Sequence, residues 1–200
     1  MKGSLIIVAF FILGIIVGHY NLLSDYFIHA NISYYALCGL MFFVGISIGN
    51  DTTTLKNFRL INIRYALLPA MTILGTLCGC TIASLLISKH SIAECCAIGS
   101  GMGYYSLSSI IISEYKGAEL GTIALLCNIM REIVALLFAP FIAKYFGKLS
   151  PISVGGATTM DTTLPIITHS CGKDFVIISI FHGCITDFSV PFLVTLFCSM

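Results

Sequence analysis

The sequence predicts an all-α integral membrane protein, a transporter-like bundle of five clean transmembrane helices and two broken or re-entrant segments. Three observations predict it: an apolar composition, apolar runs of membrane-spanning length, and acids in the middle of those runs. Hydrophobic residues make up 58% of the chain, charged residues 10%, and the mean hydropathy is +1.00. Soluble domains carry roughly 45–50% apolar and about 25% charged residues, because they need charge to cover their surface. A formal net charge of +1 also excludes a nucleic-acid partner, which requires a clustered basic surface.

The nine cysteines, Cys38, Cys78, Cys80, Cys95, Cys96, Cys127, Cys171, Cys184 and Cys198, are odd in number and form no C-x-x-C. They read as small apolar packing residues, so no disulfide framework, metal site or cofactor is expected. Met1-Lys2 followed by an apolar run imitates a signal peptide, but no A-x-A-like site follows. The run is therefore predicted to be a retained first span.

A spanning helix needs about 20 mostly apolar residues. The clean candidates are 4–20, 32–49, 65–88, 120–143 and 175–197, in one polytopic domain covering 1–200. Small-xxx-small pairs at Gly14/Gly18, Gly45/Gly49 and Gly75/Gly79 predict close backbone packing between helices. Two further apolar segments are interrupted. Residues 92–113 contain Gly99-Ser100-Gly101-Met102-Gly103-Tyr104-Tyr105-Ser106, and 150–170 contain Gly155-Gly156-Ala157-Thr158-Thr159-Met160-Asp161-Thr162-Thr163-Leu164-Pro165. Non-helical backbone at membrane depth survives only inside protein or against a water-filled cavity. Both segments are therefore predicted to be discontinuous helices or re-entrant hairpins at a transport site, giving five to seven crossings.

Lys2, and the loop of Lys56, Arg59 and Arg64, predict a cytoplasmic N-terminus by the positive-inside rule. Lys144 and Lys148 then fall inside if 92–113 is re-entrant and outside if it crosses, so charge favours re-entry. Either count leaves the C-terminus outside.

Glu132 is thirteenth of the 24 residues in 120–143, near the bilayer midplane, where an ionisable group costs at least about 2.5–3.5 kcal/mol. Asn128, Arg131 and Glu132 stand at i, i+3 and i+4 and share one helix face, which predicts an interior-facing polar stripe. Asp161 lies among Thr158, Thr159, Thr162 and Thr163. Four hydroxyls and a carboxylate can replace the water shell of a cation, whereas an N-cap role explains one polar residue of the five. Tyr104, Tyr105 and Ser106 are candidate cavity lining. His182 and Asp187 are also intramembrane. An Asp187–Arg131 pair would neutralise both charges, with a proton relay as the alternative.

At these residues the chain resembles the LysO-type family of bacterial lysine exporters. The resemblance is carried by Gly101-Met102-Gly103-Tyr104-Tyr105-Ser106-Leu107-Ser108, Asn128-Ile129-Met130-Arg131-Glu132, the 155–165 stretch and His182-Gly183. It implies export of L-lysine and thialysine by proton exchange from the bacterial inner membrane, with an acidic pair on Glu132 and Asp161. Single-chain members are about a third longer. That implies either a small membrane subunit supplying the missing N-terminal spans or an incomplete chain, and a homodimer is the alternative assembly. No family role passes to Asp187.

The reading is a multi-pass antiporter with lysine, protons and the bilayer as partners, and not an enzyme. Lysine's ammonium needs a carboxylate, and desolvation favours a carboxyl's protonated form, so protonation can release the substrate. The rivals are a channel or carrier for another solute, and an intramembrane aspartyl protease. The protease needs two acids sharing one proton at close range, which Arg131 beside Glu132 and the threonine setting of Asp161 suit poorly.

Overall fold

A computed structural model of the chain describes residues 63–87 and 89–200, together with Leu13, Ile16 and Val17. The chain divides into two compact units, Met1–Ile46 and Ser47–Met200. In the first, Leu13, Ile16 and Val17 are helical. The rest of the predicted spans 4–20 and 32–49, the Gly14/Gly18 and Gly45/Gly49 pairs, and the loop of Lys56 and Arg59 lie outside the described residues.

From Ile63 onward the described residues are helical and contain no strand. The helices are α1 (Ile63–Leu86), α2 (Ile92–Gly99), α3 (Tyr105–Lys116), α4 (Ala118–Phe146), α5 (Ser150–Gly155), α6 (Leu164–Cys171) and α7 (Val176–Cys198), with 3₁₀ turns at Gly156–Met160 and Lys173–Phe175. Three stretches are long and apolar enough to cross a membrane: Tyr65–Leu86, Ala118–Phe146 and Lys173–Cys198. They coincide with the predicted spans 65–88, 120–143 and 175–197. Leu67, Met71, Leu137, Phe138, Phe188 and Phe192 stand exposed along them, as lipid-facing side chains do.

The two broken segments each return to the end of the unit they leave. Lys89, just before α2, pairs with Glu119, just after α3, at 2.9 Å, so α2 and α3 form a hairpin with both feet together. A capping box opens it: the Ser91 hydroxyl accepts from Glu94 N–H and the Glu94 carboxylate accepts from Ser91 N–H. The second segment has its feet at the opposite end. Ile152, Ile167, Cys171 and Ile178 form one buried cluster with Tyr65, Leu68, Ala143, Leu149 and Phe175. That cluster joins the start of α1, the end of α4, both feet of the α5–α6 hairpin and the start of α7. Helix α7 then runs to the other end, where Lys116 is within electrostatic reach of Cys198.

Gly75 and Gly79, expected to seat a neighbouring helix, have no other group of the described residues within 4 Å of the point where a Cβ would stand. Close packing is found instead at Gly99, against Cys80, and at Gly183, against Met160. Hydropathy spacing alone does not say which face of an all-round apolar helix meets protein and which meets lipid.

Candidate transport site

The hairpin tips meet at the middle of the helices. The first tip turns through Met102 and Gly103 with φ of 46° and 95°, a left-handed pair that only the glycine adopts without strain. Met102 is fully buried, and its carbonyl accepts the Ala157 N–H of the second tip at 2.9 Å. At the second tip Gly156 has φ +66°, and a Cβ there would collide with the Met102 carbonyl.

Helix α4 braces both tips. Asn128 Oδ1 accepts from Gly103 N–H at 2.8 Å, and its Nδ2 donates to Ile98 O at 3.1 Å and Ala124 O at 2.9 Å. One turn on, Arg131 Nε donates to Val154 O at 2.9 Å and Nη2 to Ser153 O at 3.0 Å, with Thr76 Oγ1 at 3.4 Å from Nη1. Those carbonyls end α5, where a helix leaves acceptors unsatisfied and negative. Hydrogen bonds to a charged group contribute about 1.5–3 kcal/mol each. In lipid such bonds matter more, since apolar burial there does not drive helix association.

This geometry corrects two expectations. No Asp187–Arg131 pair forms: among the described residues the ion pairs are Lys89–Glu119 and His90–Glu94. The guanidinium is occupied by backbone carbonyls, which only the fold could bring to it. The threonines also do not cradle Asp161 together. Thr158 Oγ1 donates to Gly155 O and contacts Thr163 Oγ1, and Thr159 Oγ1 is bonded to Gly156 O and Ser179 O. Thr158, Thr159 and Thr163 are buried, holding the tip's own backbone, while Asp161 and Thr162 are exposed. Breaking the helix frees carbonyls within reach of these hydroxyls, and they satisfy those first.

His182 is fully buried, with Nε2 2.9 Å from Thr72 Oγ1 and Nδ1 3.3 Å from Thr159 Oγ1. Thr72 donates onward to Ser153 Oγ at 3.0 Å, so this network ties α1, the second hairpin and α7 together. Sequence reasoning missed Thr72 and Ser153. The available signal was weak, a hydroxyl in an apolar run at Thr72 and one of several hydroxyls in the interrupted segment at Ser153.

Glu132 stands at the centre of α4, fourteen residues from either end. It is half-buried and has no hydrogen-bond or ion-pair partner among the described residues. Tyr104 is half-buried, and Tyr105 and Ser106 are exposed at the start of α3. Asp187, the central residue of α7, is 5% exposed. It lies within electrostatic reach of Asp161 and Tyr104.

Two opposed hairpins meeting at mid-depth between membrane-length helices, with unpaired acids beside them, define a helical membrane transporter with discontinuous helices. The particular family follows from the chain as a whole. It belongs to the lysine exporter LysO family, whose model matches residues 8–198. It is 35% identical over 189 residues to the "Putative lysine exporter" of Haemophilus influenzae, covering 94% of each chain. It is 33% identical over 165 residues to the "Lysine exporter LysO" of Escherichia coli K12, covering 82% of this chain and 54% of that protein. No solved structure matches the chain. The family is one of transporters, not enzymes.

Proposed function

We propose that the chain exports L-lysine, and its analogue thialysine, across the bacterial inner membrane in exchange for protons. Family membership supports the substrate. The observation that carries the mechanism is the meeting of the hairpin tips at Met102 and Ala157, with acids at the same depth on α4 and α7. In this reading Glu132 and Asp161 carry substrate and proton, and Asn128 and Arg131 hold the tips that move around them. Counterflow of labelled lysine in liposomes tests it. Accumulation driven by unlabelled internal lysine, with a response to imposed pH gradients, is the expected result. Flux without counterflow would make the protein a channel. Adding the product of a neighbouring gene for a short membrane protein tests whether such a subunit, rather than a second copy, completes the transporter.

The reading includes an orientation. Lys144, Lys148 and Lys173 gather at the α1-start end, while Lys89 and Lys116 share the other end with Glu94, Glu114 and Glu119. By the positive-inside rule the first end is cytoplasmic, so each hairpin enters from a different side. In a cysteine-free background, Lys148→Cys should label from the cytoplasm and Lys116→Cys from outside. Labelling of Lys148→Cys only from the periplasm would mean that the orientation is the reverse of the one proposed.

A further inference from the structure

We propose that Asp187, Asp161 and Tyr104 form a site for one alkylammonium group, where Asp187 holds either a proton or the ammonium and never both. This rests on the export reading and names the atoms that receive the substrate's side-chain charge.

Three elements pack together here: α7, with Asp187 at its centre, lies against the second tip, which ends at Asp161, and against α3, which Tyr104 opens; the three groups are within electrostatic reach of one another. Asp187 is more than nine-tenths buried and makes no hydrogen bond or ion pair among the described residues. Its neighbours are committed elsewhere. The Thr186 hydroxyl donates to His182 O at 2.6 Å and the Ser189 hydroxyl to Thr186 O at 2.7 Å. His182, one turn earlier on α7, is bonded to Thr72 and Thr159. Arg131 is bonded to the end of α5 and reaches His182 rather than Asp187. Among the described residues Asp161 and Tyr104 are thus the titratable groups that face Asp187, and neither is a cation.

A buried carboxylate without a partner pays a desolvation penalty of several kcal/mol. Protonation of Asp187 avoids that penalty until a cation arrives. An ammonium carries three donors and no acceptor, which suits two carboxylates and a phenol oxygen. When it binds, the carboxyl proton leaves and a carboxylate–ammonium pair remains, so one positive charge enters as one departs. That is the stoichiometry of a one-for-one exchange. The acceptors come from both tips as well as α7, so occupancy is sensed by the two elements whose contact would have to change for transport.

The test is calorimetry on the purified chain in nanodiscs, in two buffers of different ionisation enthalpy. The probes are L-lysine, n-pentylamine, which keeps the ammonium alone, and norleucine, which lacks it. Wild type should bind lysine and pentylamine with release of about one proton near pH 6, and should not bind norleucine. Asp187→Asn should weaken both by about 30-fold or more and abolish proton release, while Asp187→Glu should keep both properties. If Asp187→Asn does not fold, Asp161→Asn and Tyr104→Phe, at less buried positions, carry the test through weaker pentylamine binding. Pentylamine binding with proton release but no lysine counterflow would uphold this site and overturn the lysine reading. Lysine counterflow with unchanged affinity and proton release in Asp187→Asn would overturn this site and leave export standing. Equal binding of norleucine would overturn it as well.

Discussion

Glu132→Gln and Asp161→Asn should each reduce lysine efflux and thialysine resistance by about 100-fold or more, the scale on which a lost proton-transfer group acts. Neither change should reduce the amount of protein in the membrane. Glu132 lies at the centre of a 29-residue helix, and its carboxylate has no hydrogen-bond or ion-pair partner among the described residues. An ionisable group at that depth costs at least about 2.5–3.5 kcal/mol, and glutamine removes that cost while keeping the volume. Among the described residues Asp161 accepts only from the adjacent Thr162 N–H, an acceptor that asparagine's carbonyl retains. Folding is thereby separated from charge in both variants. The measurement is resistance and labelled-lysine efflux, normalised to protein level. Near-wild-type efflux in either variant removes that residue from the mechanism.

Gly156→Ala should be among the most damaging single-methyl changes in the chain. At φ 66° and ψ −130° any L side chain is strained, by roughly 1–3 kcal/mol. The new Cβ would also strike the Met102 carbonyl, which is backbone and has no rotamer to give, and would lie 3.4 Å from Arg131 Nε. Overpacking of this kind adds about 1–3 kcal/mol. The sum is a large part of the stability of an ordinary domain, about 5–15 kcal/mol. It also falls on the contact that joins the two tips. Gly75→Ala is the control: among the described residues no other group lies within 4 Å of a Cβ there, and alanine is the better helix former by about 1 kcal/mol. The expected result is a lowered unfolding midpoint and lost efflux for Gly156→Ala, with Gly75→Ala keeping wild-type efflux and a midpoint at or slightly above wild type. Equal midpoints for the two variants would show that the tips do not depend on close approach at Gly156.

The class of protein was legible in the sequence because lipid punishes polar groups locally. Each charge or glycine within an apolar run is a signal that needs no knowledge of neighbours. The three described spans, the two interruptions and the central positions of Glu132 and Asp187 were readable on that basis. What each interruption does was decided by contacts between residues far apart in the chain. The Lys89–Glu119 pair and the Ile152–Cys171–Ile178 cluster set the direction in which each hairpin returns. Arg131 illustrates the limit most clearly. Its charge required a partner, and the acid on α7 was the economical choice from sequence. The fold supplied the carbonyl end of α5 instead. A helix terminus is an acceptor that no side-chain inventory records, and it exists only once the backbone has broken at Gly156. The same break drew Thr158, Thr159 and Thr163 inward to the freed backbone groups, leaving Asp161 without the ring of hydroxyls that its sequence neighbours suggest. Residue types determined which groups needed partners, and tertiary structure chose the partners, because a hydrogen bond is satisfied within about 3 Å and sequence distance says nothing about that length.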